Sequence, residues 1–262
     1  MSSTEIILKD YSTISLKEMD SVKLLNRTDT KYVFTSDTLP DVLKELSRDY
    51  KILEIDGVKF SQYNSLYFDT EKLKLYTQHH NGKLNRHKVR YRKYVDTGLC
   101  YLEVKFKNNK GRTVKKRTKR SDIRPDFSER SVKFLSRYFP MPAKELRAKL
   151  ANAFKRITLV DLGAKERVTI DLDLRFELND EITSVSRLII AEVKQEKYNV
   201  RSSFIQTMKK FRIRPMRISK YCIGTVLMNS DAKNNLFKED IKYNRFKPKI
   251  ITINKLRYAV GA

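Results

Sequence analysis

The stretch His87-Lys88-Val89-Arg90-Tyr91-Arg92-Lys93-Tyr94-Val95, with Asp96-Thr97-Gly98 and then Tyr101-Leu102-Glu103-Val104-Lys105-Phe106-Lys107 behind it, alternates charge and hydrophobicity residue by residue. Successive side chains of a strand point to opposite faces. Lys88, Arg90 and Arg92 therefore share one face, with Val89, Tyr91 and Val95 on the other. In the second run Glu103, Lys105 and Lys107 oppose Leu102, Val104 and Phe106, and Asp96-Thr97-Gly98 reads as the hairpin turn between them. Four more runs share the design. Val114 to Lys119 aligns Lys115, Arg117 and Lys119, and Arg27 to Phe34 aligns Arg27, Asp29 and Lys31. Arg167 to Phe176 sets Arg167, Thr169, Asp171, Asp173 and Arg175 against Val168, Ile170, Leu172, Leu174 and Phe176. Ala191 to Glu196 aligns Glu192, Lys194 and Glu196.

The 262 residues carry 56 Lys and Arg against 31 Asp and Glu, a net charge of +25. A surplus of this size calls for a polyanion, an acidic membrane or a self-repelling surface. It is concentrated: Lys83 to Arg120 holds fifteen Lys and Arg but only Asp96 and Glu103 as acids. With 40% hydrophobic residues the chain has the apolar area for a real core, which excludes a disordered basic tail. Cys100 and Cys222 lie far apart in apolar surroundings without metal-ligand spacing, as expected of reduced buried thiols in a cytoplasmic protein. No run approaches the roughly 18 apolar residues of a membrane helix.

Ser36-Asp37 ahead of Leu39, Val42, Leu43 and Leu46 predicts a capped helix with Pro40 in its first turn. Amphipathic helices are expected over Phe127 to Phe139 and Ala143 to Phe154, broken at Pro140-Met141-Pro142, and over Ser202 to Phe211 and Ile218 to Met228, hinged at Arg214-Pro215. Strands and helices do not alternate as βαβ units, so the expected class is α+β with an antiparallel sheet. Two geometries suit the charged faces. The sheet is either open with its polar face in water, or curled so that the charged faces line a lumen packed outside by helices. A lumen binding a phosphate chain uses Arg as a planar fork and Lys as a point charge. His79, His80 and His87 cluster in sequence without a Ser or Cys elbow, and read as polar surface or mouth residues.

Seven stretches in order give the chain a specific resemblance. They are Asn26-Arg27-Thr28-Asp29-Thr30-Lys31-Tyr32, Ser65-Leu66-Tyr67-Phe68-Asp69-Thr70, Gly82 to Tyr94, Leu102 to Lys107, Arg167 to Leu174, Ala191-Glu192-Val193-Lys194, and Arg217-Ile218-Ser219-Lys220-Tyr221-Cys222-Ile223-Gly224. Across residues 25–229 the sequence resembles the VTC (vacuolar transporter chaperone) domain, the catalytic module of polyphosphate polymerases in the triphosphate tunnel metalloenzyme superfamily. The resemblance implies a closed antiparallel β-barrel of about eight strands forming a cationic tunnel flanked by helices. Residues 1–24 would pack on the barrel and 230–262 would form a basic extension. It implies transfer of the terminal phosphoryl of ATP onto a growing polyphosphate chain, with triphosphate or pyrophosphate as related ligands.

Carried onto this sequence, the family pattern puts Lys31 beside the transferring phosphoryl group and Arg90, Arg92 and Lys105 on the triphosphate. Arg156 and Arg167 add cationic contacts from the far wall. Glu192 would bind Mn²⁺ or Mg²⁺, and Lys220 and Arg217 would project from a helix bordering one tunnel end. Arg27, Lys88, Glu103, Lys107, Arg117 and Lys194 complete the expected substrate-contacting set. Arg27-Thr28-Asp29-Thr30-Lys31 stands where hydrolase and cyclase branches carry Glu-x-Glu-x-Lys, which favours the polymerase branch. The competing readings are a triphosphate hydrolase and a non-catalytic polyphosphate or nucleic-acid binding module; no specific nucleic acid is expected. The stretch carries neither the inositol-phosphate-sensing domain nor the membrane helices of the eukaryotic polymerases, so coupling to translocation would need a membrane-protein partner.

Overall fold

A computed structural model describes residues 3–20, 27–237 and 249–250 of the chain. The elements run α1 (Ser3–Ile7), β1 (Thr13–Ile14), α2 (Leu16–Met19), β2 (Thr28–Thr35), α3 (Leu39–Leu46), β3 (Lys51–Leu53), β4 (Ser61–Asp69), α4 (Lys74–His80), β5 (Arg86–Tyr94), β6 (Cys100–Lys107) and β7 (Thr113–Arg120). Then come α5 (Glu129–Tyr138), β8 (Arg147–Asp161), β9 (Glu166–Leu178), β10 (Glu181–Val185), β11 (Leu188–Gln195), α6 (Ser203–Lys210), α7 (Lys220–Met228) and β12 (Lys249–Ile250). The expected boundary at residues 24 and 25, and most of the expected extension over 230–262, lie outside the described residues.

The sheet runs β2-β11-β9-β8-β4-β5-β6-β7, antiparallel at every step. β10 and β12 continue from the far half of β9, and β3 and β1 from the end of β8. In a flat sheet β6 and β11, five positions apart, would lie about 24 Å from each other. Yet the charge of Glu192 on β11 acts on Lys105 of β6, and that of Lys31 on β2 acts on Lys88 of β5. The sheet is therefore strongly curled, with the charged faces turned inward. It does not close into the expected barrel: among the described residues no ladder joins β7 to β2. The edge of β2 that a closing strand would need is partly taken. Pro215 bridges Tyr32, and Met216 N donates to Lys31 O at 2.8 Å.

Helices cover the convex side. α3 and α6 pack against Ile157, Leu159, Val168, Ile170 and Val193, while α5 covers Leu66, Val89, Leu102 and Val104. α7 is different, being apolar on nearly every side because it is buried on nearly every side. It fills one end of the concave face against Leu150, Leu174, Phe176 and Ile190. Among the described residues no helix is long and apolar enough to cross a membrane.

Three local expectations need correction. The Ala143 to Phe154 segment is not a helix: only Ala143–Glu145 turns, and Arg147–Asp161 is a long strand between β4 and β9. Its helix-favouring Ala, Leu and Lys are overridden by pairing on both edges. The α3 start has Thr38 as N-cap without a side-chain bond, and Asp37 pairs with Arg187 instead of capping. In β9, Asp173 adopts a left-handed φ of 54° where the β8 register skips, so two residues oppose one. This bulge reverses the alternation, sending Leu174 and Phe176 inward to α7 rather than outward with Val168 and Ile170.

Candidate active site

At the centre of the concave face three carboxylates, Glu103, Asp171 and Glu192, are each taken by two cations. Glu103, fully buried on β6, accepts from Arg90 Nε and Nη2 at 2.9 and 2.7 Å and from Lys115 at 3.5 Å. Asp171 on β9 accepts a two-pronged bond from Arg156 on β8 at 2.5 and 2.8 Å, and a bond from Lys220 at the start of α7. Glu192 on β11 joins Lys31 on β2 through one oxygen and Lys194 through the other, the latter at 2.9 Å. Burial alone would push these carboxyls up. Arg90, Arg92 and Lys115 instead hold Glu103 well below the usual carboxylate range, Arg156 and Lys220 do so for Asp171, and Lys194 and Lys31 for Glu192. All three stay ionised at neutral pH.

Other polar groups at the centre have no such counter-charge. Lys105 makes no hydrogen bond or ion pair among the described residues, and its ammonium is driven well below the lysine range by Arg90, burial and Arg92. Arg92 reaches only Ser65 Oγ at 3.4 Å and otherwise lies over the rings of Tyr63 and Phe154. Asn152, in register with Ser65 on β8, is buried with both side-chain atoms unpartnered. Lys88 donates to Ser219 Oγ at 2.8 Å, and burial lowers its ammonium too.

Ten of the expected residues thus converge: Lys31, Lys88, Arg90, Arg92, Glu103, Lys105, Arg156, Glu192, Lys194 and Lys220. The others lie at the two ends. Arg27, paired with Asp29 at 2.9 Å, and exposed Arg117 stand at the open mouth, where half-buried Arg167 reaches the Met19 carbonyl at 3.4 Å. Lys107 and exposed Arg217 stand at the α7 end, close enough for their charges to interact. The histidines separate. His79 accepts from Arg86 Nε at 3.1 Å, and Lys88 with burial pushes its imidazole down to about 2. His80 is buried against Phe237, and His87 stacks on Phe106 on the convex side.

Sequence reading missed two anchors. Asp171 aligned with the charged row but only the fold reveals that it holds Arg156 and Lys220 together. Asp69, fully buried at the end of β4, accepts from the backbone N of Thr70, Leu75 and Tyr76 and from Tyr221 Oη, tying α4 and α7 to the sheet. A lone Asp before a Thr in a strand-end motif carries no signal of four bonds. As for a metal, no three His, Cys, Asp or Glu side chains come together among the described residues. That donor set does not make a protein-only cage. Glu192, the acid expected to bind the metal, has both carboxylate oxygens on lysine ammoniums, so a hard cation held there would have to displace one of them and draw the rest of its shell from phosphate oxygens and water.

A profile of the VTC domain matches residues 26–229. No curated protein sequence matches the chain significantly. Among solved structures it is similar to HpAC1 from Hippeastrum, a putative adenylyl cyclase described as revealing a dominant triphosphatase activity. There the identity is 14%, covering 76% of this chain and 94% of that one, with a TM-score of 0.49. A putative adenylate cyclase from Bacillus halodurans is 13% identical, covering 74% and 94%, with a TM-score of 0.46. The S. pombe Pct1 RNA triphosphatase is 10% identical, covering 94% and 93%, with a TM-score of 0.30. The profile match takes in all eight strands of the curled path and the helix that fills its end, and on that match the chain belongs to the VTC domain family.

Proposed function

We propose that this chain is an ATP-dependent polyphosphate polymerase, moving the terminal phosphoryl of ATP onto a growing polyphosphate chain on the concave face. One observation carries the reading: Arg92 and Lys105 sit at the centre of that face with no carboxylate bonded to either among the described residues, while Glu103, Asp171 and Glu192 are each already held by two cations. A surplus of buried positive charge is costly without a partner. A phosphate chain supplies that partner along its whole length. Residues 25–229 would be the catalytic module, 1–24 a packing segment and 230–262 a basic extension, in a cytoplasmic protein with access to ATP.

Phosphoryl transfer asks for in-line positioning and charge stabilisation and little covalent chemistry. Arg90, Arg92, Lys105 and Arg156 would hold donor phosphates from opposite walls, and Lys31 would meet the transferring group. Each close cation offsets repulsion between anionic donor and anionic acceptor by about 1–4 kcal/mol, depending on the effective dielectric. Lys88, Lys194 and Lys220 would extend the track. Glu192 would hold Mn²⁺ or Mg²⁺, which neutralises charge on the phosphates when bound.

Purified protein incubated with ATP and Mn²⁺ or Mg²⁺ should yield ADP and acid-labile chains that ladder on a gel. Free phosphate as the main product would replace the reading with a hydrolase. Affinity without any turnover would leave a binding module.

A further inference from the structure

The open mouth carries a row of aromatic rings on the charged face. Tyr63 on β4, Tyr94 at the end of β5 and Tyr101 at the start of β6 follow the parity of Ser65, Arg92 and Glu103, so all three lie on the concave face. They touch in sequence: Tyr63 and Tyr94 have centroids 5.1 Å apart, and Tyr94 and Tyr101 6.1 Å apart at 86°. Behind them Phe154 stacks on Tyr63 at 5.2 Å, and in front Arg117 lies over the Tyr101 ring at 4.6 Å. α7 reaches the other end of the face, so no helix buries this row, and Tyr94 and Tyr101 remain half-buried. Tyr63 already carries the guanidiniums of Arg92 and Arg156, at 5.5 and 4.9 Å, whereas among the described residues no cation lies over the Tyr94 ring.

We infer that Tyr94 and Tyr101, flanked by Arg117, form a stacking site for the nucleobase of a nucleoside triphosphate entering the mouth. The inference rests on the proposed use of ATP as donor. Tyr101 lies directly opposite Arg92 in the ladder. Same-face positions along a strand are about 6.6 Å apart, comparable to the span of a ribose. A nucleotide whose phosphates rest on Arg92, Arg90 and Lys105 thus places its base among these rings and the Arg117 guanidinium, both of which stack bases. Every base has a π-face, so the site distinguishes nucleotide from bare phosphate chain more than one base from another. It also gives the donor an end to bind by that a phosphate chain lacks.

The test is calorimetric titration of the full chain, in metal-free buffer, with ATP and separately with tripolyphosphate. Tyr101→Ala should weaken ATP binding roughly 5- to 100-fold, the loss of one stacked base, while tripolyphosphate affinity stays within about twofold. Tyr101→Phe keeps the ring and should keep ATP affinity, which separates stacking from a folding defect. Equal losses for both ligands, an unchanged ATP affinity in Tyr101→Ala, or no ATP binding by the wild type overturns the inference. Failure of the polymerase reading would look different: ATP bound selectively through Tyr101 but never converted to chains.

Discussion

Lys31 on β2 and Glu192 on β11 are direct partners in the antiparallel ladder and join side chains over the concave face, with Lys194 on the second carboxylate oxygen. The pair holds two cations in place while cancelling part of their charge. Glu192→Gln keeps the shape and removes the negative charge. Product formation from ATP should fall roughly 100-fold or more, the scale of losing one preorganised electrostatic group. Metal-free affinity for tripolyphosphate should stay level or rise, because Lys31 and Lys194 are released. A marked loss of that affinity would refute the arrangement.

Lys105 gives a proton-linked signal. Arg90, burial and Arg92 depress its ammonium in the free protein, and a bound phosphate chain should restore the proton. Binding therefore takes up a proton between the depressed value and the ordinary lysine value of about 10.4, and affinity falls as pH rises through that window. Titrations in two buffers with different ionisation heats should reveal the uptake, and Lys105→Met should abolish it.

The same group sets a stability trend. In that window the unfolded chain binds one more proton than the folded one, so Lys105 makes stability rise with pH. Lys105→Met should flatten this slope and raise the melting temperature at neutral pH by about 2–4 °C per kcal/mol of repulsion relieved. Thermal melts across pH would show it, and a lower melting temperature for the variant would contradict it.

Gly224 lets α7 approach the sheet. A Cβ there would lie 2.6 Å from Leu150 Cδ2 and 2.8 Å from Phe176 Cε1, both buried side chains with little room to move. Gly to Ala inside a helix normally stabilises by about 1 kcal/mol. Here Gly224→Ala should destabilise by roughly 1–3 kcal/mol through overpacking. A denaturant midpoint at or above wild type would mean that α7 sits farther out.

Asp69 binds α4 and α7 through four hydrogen bonds. Asp69→Ala strands buried amides and should cost about 2–5 kcal/mol in urea unfolding. Asp69→Asn, which retains an acceptor, should lose less; equal losses would assign the effect to charge instead.

Period-two alternation made β2, β5, β6 and β11 legible because each presents one charged and one apolar face, while β7 showed only its cationic row. Arg90, Lys105 and Glu192 could therefore each be placed on the charged face of its own strand, though not on one common surface, before any fold was known. Closure was not legible. Whether the edges of β2 and β7 meet depends on Pro215 and Met216, far away in sequence, lying along β2. The strand over Arg147–Asp161 was hidden because both its faces are covered for part of its length, so residues such as Ala151 and Phe154 are both buried and no alternation survives. Pairing partners were hidden too. Residue type told that Asp171 and Arg156 were charged, but only the β8·β9 register sets them opposite each other.

The extra residue at Asp173 decides what the curled sheet encloses at its α7 end. Up to Leu172, β9 presents charge inward. Past the bulge the same strand presents Leu174 and Phe176, and Arg175 is turned out to solvent. One inserted position thus separates a trough stopped at one end from a trough open at both, because without it Arg175 would face inward and α7 would lose its greasy seat. Dead end and thoroughfare differ here by a single step in the backbone count.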